Sequence, residues 1–313
     1  MNLLIHKDLF TAWCGLLLSG YSLTDPKDKA AGEVLAALPA VPAPSKIRAY
    51  FSLARTDRVE VNPWYPRGSE LSAACLMLSG GWEAYRAFLT SCGSPSVHDQ
   101  EFWNWIVRLP ELLEAIQQLP GFEKTWRPYE SQVTARFQEL PPKIDSLQAR
   151  LDRYGWPGTP RLCFVPNLLQ APSLADFAVS GGTLYVVSGC FSPSVMVHEA
   201  MHLILHGSRP AILKALRQFG LAQFADWEKL SALGYLHGQS ESSQAHALEE
   251  CLARALTGWI CGEGEEYCRQ NRESGFTAVL DMMERLSSLP PCGLEPLIAV
   301  CTGSRARESC TLI

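Results

Sequence analysis

The sequence predicts an α+β fold that is mainly helical, with a small sheet just before one apolar helix. Residues 70–154, 193–206 and 244–259 have the composition and apolar content of helices. Two short runs, 161–166 and 183–188, are instead rich in residues that favour strands, and glycines flank the second run. Both strands would therefore directly precede the helix over 193–206.

The N-terminal region, residues 1–155, is expected to be mostly helical. Residues 9–20 are interpreted as a folded helix, because a secretory signal would need more basic residues and a small-residue cleavage site. Residues 37–44 are typical of a linker or turn, and a short strand pair is predicted near 47–61. A charged amphipathic helix over 143–154 would end this region.

The helix over 193–206 carries the most informative pattern in the chain, H-E-x-x-H, at residues 198–202. Ser192 and Pro193 suit the N-cap and the first helical position, and Gly207 suits the residue after the helix. The helix is apolar on nearly all sides, which is typical of a buried helix. Its histidines and glutamate therefore need partners, since buried polar groups are costly when unpaired.

The spacing of the motif points to metal chemistry. His198 and His202 are four residues apart, so they share one face of the helix and can bind one zinc ion. Glu199 lies beside them, where it can take a proton from a zinc-bound water. His206 lies ~12 Å along the axis from His198 and cannot join them. Ser208 stands where a metzincin needs its third histidine. The alternative is a pair of histidines that only hydrogen-bond to neighbours.

A third protein ligand is expected from the helix over 244–259, which has two adjacent glutamates in its middle. Here the chain resembles the gluzincin metallopeptidases, in which a helix after H-E-x-x-H supplies a glutamate ligand, in several branches within an E-x-x-A pattern. Glu250-Cys251-Leu252-Ala253 matches that pattern, and the continuation Arg254-Ala255-Leu256 resembles the anthrax lethal factor-like branch. The resemblance covers residues 161–262 and implies a zincin-like metallopeptidase domain over 156–313.

Two features of this helix depart from the resemblance or leave it open. Many relatives carry Asp or Glu directly after the alanine, where it orients a zinc-binding histidine, and this chain has Arg254 there. By helical angle, Glu249 lies nearer the apolar stripe than Glu250 does, so periodicity alone favours Glu249 as the ligand. The motif favours Glu250, which we take as the predicted ligand, with Glu249 as the alternative.

The resemblance also implies a way to hold a peptide. In gluzincins the edge strand of the sheet before the zinc helix commonly pairs with an extended substrate. The candidate strand is 183–188, and its first four residues are the predicted substrate contacts: Thr183, Leu184, Tyr185 and Val186. The alternative is that this strand lies inside the sheet.

Further candidates lie between the two ligand helices. Gluzincins often use a Tyr or His to stabilise the oxyanion of the tetrahedral intermediate, and Tyr235 or His237 could serve. A solvated loop is the alternative interpretation for both residues. His246 lies one turn before Glu250 and is either close to the metal ligands or simply near the helix start.

Composition narrows the function classes. The net charge is −5 and no basic patch is present, so we expect no nucleic-acid binding. No segment is long enough to span a membrane. The eleven cysteines are odd in number and never have C-x-x-C spacing, which favours reduced thiols in a cytoplasmic protein over a secreted one.

The sequence therefore predicts a zinc-dependent hydrolase, most simply a peptidase that acts on a peptide or protein. One alternative is a catalytically silent metallopeptidase-like domain that binds a partner or senses metal, against which the intact Glu199 argues. Another is a zinc amidase for a small substrate, with Cys190 or Cys251 as a thiolate ligand. Substrate preference and oligomeric state are left open.

Overall fold

The computed structural model describes residues 2–21, 24, 27–38, 46–52, 67–91, 106–172, 174–232, 238–289 and 292–303. The chain forms two compact units, residues 1–142 with 163–191, and residues 143–162 with 192–313. This division differs from the predicted boundary between residues 155 and 156, because the strands group with the N-terminal helices. The predicted α+β, mainly helical fold is confirmed. Within the described residues no helix has the length and apolar content to cross a membrane.

In the described part of the first unit, the helices precede the strands in the chain. They are α1 Lys7–Leu18, α2 Lys29–Ala37, α3 Lys46–Phe51, α4 Arg67–Ser79, α5 Trp82–Ser91, α6 Leu109–Gln117 and α7 Phe122–Phe137. Next come α8 Leu140–Asp152, β1 Arg161–Pro166, β2 Ala175–Ser180 and β3 Thr183–Ser188. Both α8 and β1 are divided between the two units.

Apart from the start of β1, the regular elements described in the second unit are helices. Its helices are the rest of α8, then α9 Pro193–His206, α10 Arg209–Phe219, α11 Trp227–Ala232, α12 Glu241–Cys261, α13 Glu265–Glu273, α14 Val279–Ser287 and α15 Leu294–Cys301. A short 3₁₀ turn, Leu221–Gln223, follows α10. The predicted helices over 9–20, 143–154, 193–206 and 244–259 are thus all present, as α1, α8, α9 and α12.

Helix α1 forms the centre of the first unit, since every residue from Leu9 to Leu17 is buried. Phe10 contacts the rings of Trp126 and Tyr129 on α7, with centroids 5.2 and 4.3 Å apart. A helix that is apolar on all sides is stable only inside a core. This burial agrees with the interpretation of residues 9–20 as a folded helix.

A buried polar chain links α1, α4 and β2. The indole Nε1 of Trp13 donates to Oγ of Ser72 at 3.1 Å, and Ser72 donates to Oδ2 of Asp176 at 2.8 Å. Each of the three buried side chains in this hydrogen-bonded series therefore has a partner, as a stable interior requires. The contact explains why β2 groups with the N-terminal helices and not with the second unit.

Strand β3 lies in the middle of the three-stranded sheet that the described residues form, in the order β1-β3-β2. It pairs antiparallel with β2 from Ala175↔Ser188 to Ser180↔Thr183. Gly181 and Gly182 form the turn with φ of +55° and +74°, as a two-residue hairpin with right-handed twist requires.

The prediction that 183–188 is a substrate-pairing edge strand is therefore wrong. Because β1 and β2 flank β3, the strand that carries Thr183, Leu184, Tyr185 and Val186 is an inner strand and not the free edge that strand addition needs. These residues are no longer candidates for binding a peptide by strand addition.

The predicted strand pair near 47–61 is wrong where it can be compared. Lys46–Phe51 forms helix α3, and the three apolar residues Ile47, Tyr50 and Phe51 are buried. Their spacing of three and four residues is the helical period. Residues 53–66, and most of the predicted linker over 37–44, lie outside the described residues.

Helix α12 is the central element of the second unit. Thirteen of its 21 residues are buried. It packs against α9, α10 and α14. Its end is capped by the guanidinium of Arg150, which donates to the carbonyl oxygen of Ile260 at 3.0 Å. A long buried helix held from several sides is a rigid support for side chains that must meet precise partners on α9.

Candidate metal centre

Helix α9 starts as the sequence predicts. Oγ of Ser192 accepts the backbone N–H of Val195 at 3.3 Å, and Pro193 is the first helical residue. At the other end, Gly207 has a φ of −67°, a conformation that residues other than glycine also adopt. Pro210 is the second residue of α10, which begins directly after α9. The stretch that bears the histidines therefore stays one continuous helix.

Helix α12 begins at a cap in which Oγ of Ser240 accepts the N–H of Ser243, and it ends at Gly262 with φ +72°. Both central glutamates are buried, with exposures of 8% for Glu249 and 7% for Glu250. Glutamates are rarely buried without partners. Their burial shows that this pair does not form a solvated face of α12.

Three side chains from α9 and α12 meet at one point, namely His198, His202 and Glu250. One ligand atom from each lies within 4.8 Å of the others. Nε2 of His202 lies 3.2 Å from Nε2 of His198 and 3.0 Å from Oε1 of Glu250. Oε2 of Glu250 lies 3.6 Å from Nε2 of His198. The structure thus brings together the three residues that the sequence selects as ligands.

These separations suit a small tetrahedral cation. Two ligand atoms at typical zinc distances lie about 3.3 Å apart when the ion is tetrahedral. The two imidazole nitrogens are 3.2 Å apart, close to that value, and each lies within 3.6 Å of one of the two oxygens of Glu250. In addition, Oε2 of Glu250 is buried and has no hydrogen-bond partner among the described residues. Beside its ion pair with Arg254, this oxygen would gain a direct partner from a cation bound between the two imidazoles.

The two histidines differ in their electrostatics. Burial lowers the pKa of His198 to about 3, so its imidazole is neutral and ready to act as a ligand. Burial also opposes a charge on His202, but hydrogen bonds to Glu249 and Glu250 outweigh it and raise the pKa of His202 to about 10. A cation that binds here must therefore displace a proton from His202.

The positively charged side chain of Arg254 also holds Glu250 in place. Burial would raise its pKa, but the hydrogen bond to His202 and the nearby charges keep the pKa of this carboxyl well below its usual range. Nε of Arg254, one turn on, lies 3.4 Å from Oε2 of Glu250. The guanidinium of Arg254 stacks 4.1 Å from the ring of Phe276 and donates to Oδ1 of Asn271 at 3.0 Å. Arg254 therefore steadies the carboxylate of Glu250.

Glu249 contacts the other side of the same histidine. Its Oε1 lies 3.5 Å from Nδ1 of His202, a long hydrogen bond, and its Oε2 accepts from Nη1 of Arg209 at 3.1 Å. Burial would raise the pKa of Glu249, but these contacts lower it. Glu249 is not in the group of converging ligand atoms. The two consecutive glutamates thus face different nitrogens of His202: Glu249 faces Nδ1, and Glu250 faces Nε2.

Glu199 is half-buried on α9 beside His198. Burial raises the pKa of its carboxyl to about 7, against the opposing charge of His202. It does not belong to the group of converging ligand atoms. Its environment is that of a carboxylate able to exchange a proton near neutral pH.

The remaining histidine candidates lie elsewhere or cannot be compared. His206 is exposed at the end of α9, and His246 is exposed on α12. Neither belongs to the converging group found in the described residues. Tyr235 and His237, the candidates for oxyanion stabilisation, lie outside the described residues.

The cysteines considered as alternative ligands are also outside this group. Cys190 is exposed and precedes α9, and Cys251 is buried with its thiol directed to the carbonyl oxygen of Phe224 at 3.6 Å. Burial raises the pKa of the Cys251 thiol, which disfavours the thiolate that a metal needs. The donor set of the described site is two imidazoles and one carboxylate.

Sequence reasoning missed the parts played by Arg209 and Glu249. Arg209 is the first residue of α10, and no motif connects it with a glutamate 40 residues later. A signal for Glu249 did exist, because its helical angle predicted burial. That angle indicated a buried carboxylate but could not indicate which nitrogen of His202 it faces.

Comparison of the chain with protein-family models, with curated proteins and with solved structures finds no match.

Proposed function

We propose that this protein is a zinc-dependent hydrolase, and specifically a gluzincin-like peptidase. The observation that carries the proposal is the convergence of His198, His202 and Glu250 at separations that suit one tetrahedral ion. Two imidazoles and one carboxylate are a donor set typical of catalytic zinc sites, in which the fourth position takes water or substrate. The peptide substrate class rests on the resemblance of the two motifs.

The residues have separate roles in the proposed reaction. His198, His202 and Glu250 would hold the ion, and Arg254 steadies Glu250. When bound, zinc would activate a water molecule and polarise the scissile carbonyl group. Glu199 accepts a proton from the attacking water at its carboxylate and returns it to the leaving amine. Its position next to His198 on the same helix supports this role, and a domain that only binds a partner has no need of it.

The described cysteines form no disulfide bond, which fits the cytoplasmic location that we propose together with the enzyme. The proposed partner is a peptide or protein substrate.

The proposal is tested with one protein preparation in three states, zinc-loaded, stripped by a chelator and reloaded. Each is incubated with a mixture of unrelated peptides, and new peptide termini are identified by mass spectrometry. We expect cleavage in the first and third states and none in the second. A loaded protein that binds zinc but yields no new termini would support the silent-domain alternative.

A further inference from the structure

Glu249 has a place in the site that neither the motif nor the resemblance assigns to it. It neighbours the proposed ligand Glu250 on α12, yet its carboxylate approaches Nδ1 of His202 and not Nε2. The two oxygens of Glu249 have different partners, His202 on α9 and Arg209 on α10. Three helices are therefore joined through one buried carboxylate.

Arg209 fixes that carboxylate in place. Its Nη1 donates to Oε2 of Glu249 at 3.1 Å. Its Nη2 donates to the backbone oxygen of Ser242 at 3.0 Å and lies 3.3 Å from Oγ of the same residue. Ser242 and Glu249 are seven residues apart and so lie on one face of α12. A guanidinium that contacts both leaves Glu249 little freedom to turn away from His202.

The contact has a chemical consequence for His202. A neutral imidazole carries its proton on one nitrogen and can bind a metal only through the other. An acceptor at Nδ1 selects the form with the proton on Nδ1, which leaves the lone pair of Nε2 directed at His198 and Glu250. Groups that hold a ligand in this way commonly change metal affinity by about 10- to 100-fold.

We infer that Glu249, anchored by Arg209, is a positioning residue that orients His202 for metal binding, and that it fills the role left open by Arg254. The inference rests on the proposed function, because it concerns the same site. Glu249 acts through His202 and does not touch the metal or the substrate.

The chain offers a matched control for this role. Arg217 and Glu241 form another ion pair between α10 and α12, with Nε of Arg217 2.6 Å from Oε1 of Glu241. Both side chains are exposed, and the hydrogen bonds found for them in the described part of the chain join only these two residues. Glu241→Ala therefore removes a link between the same two helices without changing the surroundings of His202.

The test measures zinc affinity by competition with a chelator, together with the absorption spectrum of the Co²⁺-substituted protein. Glu249→Ala should bind zinc about 10- to 100-fold more weakly than wild type. Glu249→Gln keeps an acceptor oxygen and should lose less zinc affinity than Glu249→Ala. This variant also provides the test if Glu249→Ala folds poorly. Glu241→Ala should bind as wild type does. The Co²⁺ spectrum of Glu249→Ala should keep its tetrahedral intensity, because the ligands are unchanged.

A double variant tests the link to Arg209. Arg209→Ala alone should weaken zinc binding, and it should add no further loss in the Glu249→Ala background, because Arg209 acts through Glu249. An equal loss on both backgrounds would overturn the anchoring role. Nitrogen NMR of the zinc-loaded protein should detect a proton on Nδ1 of His202 in wild type.

The outcomes separate this inference from the proposed function. If wild type binds zinc and Glu249→Ala binds it equally well, the inference is wrong and the metal site stands. If Glu249→Ala changes the Co²⁺ spectrum as a lost ligand would, Glu249 is a ligand and the inference is also wrong. If wild type binds no zinc at all, the proposed function fails first, and the inference fails with it.

Discussion

Nε2 of His202 on α9 lies 3.0 Å from Oε1 of Glu250 on α12. The two residues come from motifs that are far apart in the chain, and each was selected from its own short pattern. Their contact is a feature of the tertiary structure, because it depends on how the two helices pack. It is also one of the contacts on which the proposed metal site rests.

Removal of both imidazoles should abolish metal binding. The variant His198→Ala with His202→Ala leaves Glu250 as a single protein ligand, which cannot hold zinc against solvent. Elemental analysis of the purified protein should give about one zinc per chain in wild type and none in the variant. Metal retained by the double variant would mean that the binding site lies elsewhere.

Replacement of Glu199 by glutamine should separate catalysis from binding. Glu199→Gln cannot accept a proton, and a general base is typically worth ~10²–10⁴-fold in rate. We expect the variant to keep its zinc and to lose most of its peptide hydrolysis, as measured by initial rates with equal metal content. Loss of the metal in this variant would make Glu199 a ligand and the proposed mechanism incorrect.

The adjacent glutamates should differ in the size and kind of their effects. Glu250→Ala removes a ligand, so its loss of zinc affinity should exceed the 10- to 100-fold loss that is typical for a group that only orients a ligand. It should also change the Co²⁺ spectrum. A larger loss in Glu249→Ala than in Glu250→Ala, measured by chelator competition, would reverse the two assignments.

Gly258 should be needed for the packing of α12. A Cβ at this position would lie 2.6 Å from Sδ of Met283 and 2.9 Å from Cε1 of Tyr267, which is too close for either contact. Gly258→Ala should therefore lower the free energy of unfolding by about 1–2 kcal/mol, because the cost of overpacking against the Tyr267 ring exceeds the gain from restricting the unfolded chain. Urea denaturation measures the change.

Gly207 provides the control for that substitution. Its φ is −67°, and a Cβ there would meet nothing within 4 Å. Gly207→Ala should leave the protein as stable as wild type or more stable by up to about 1 kcal/mol, because it restricts the unfolded chain. If both variants had equal stability, close packing at Gly258 would not be the reason for the glycine.

The local parts of the fold and site could be predicted from sequence. Ser192 and Pro193 mark the start of α9, and the four-residue spacing of His198 and His202 places both on one face. These features depend on neighbouring residues only. The selection of Glu250 needed a motif as well, because the helical angle alone favoured Glu249.

With one exception, the predictions that were wrong or missing concern relationships that no local pattern contains. Residues 183–188 form a strand, but strand order decides whether it is an edge, and that order depends on where β1 and β2 pair. The bond between Arg209 and Glu249 likewise depends on the packing of α10 against α12. The error at residues 47–51 is different, since their three- and four-residue apolar spacing already indicated a helix.

The most direct test of the metal assignment is X-ray absorption at the zinc edge of the wild-type protein loaded with one zinc per chain. We predict a first shell of about four nitrogen and oxygen atoms at ~2.0–2.1 Å, with the outer-ring scattering of two imidazoles and no sulfur. A sulfur contribution at ~2.3 Å, or the absence of imidazole scattering, would contradict a site built from His198, His202 and Glu250.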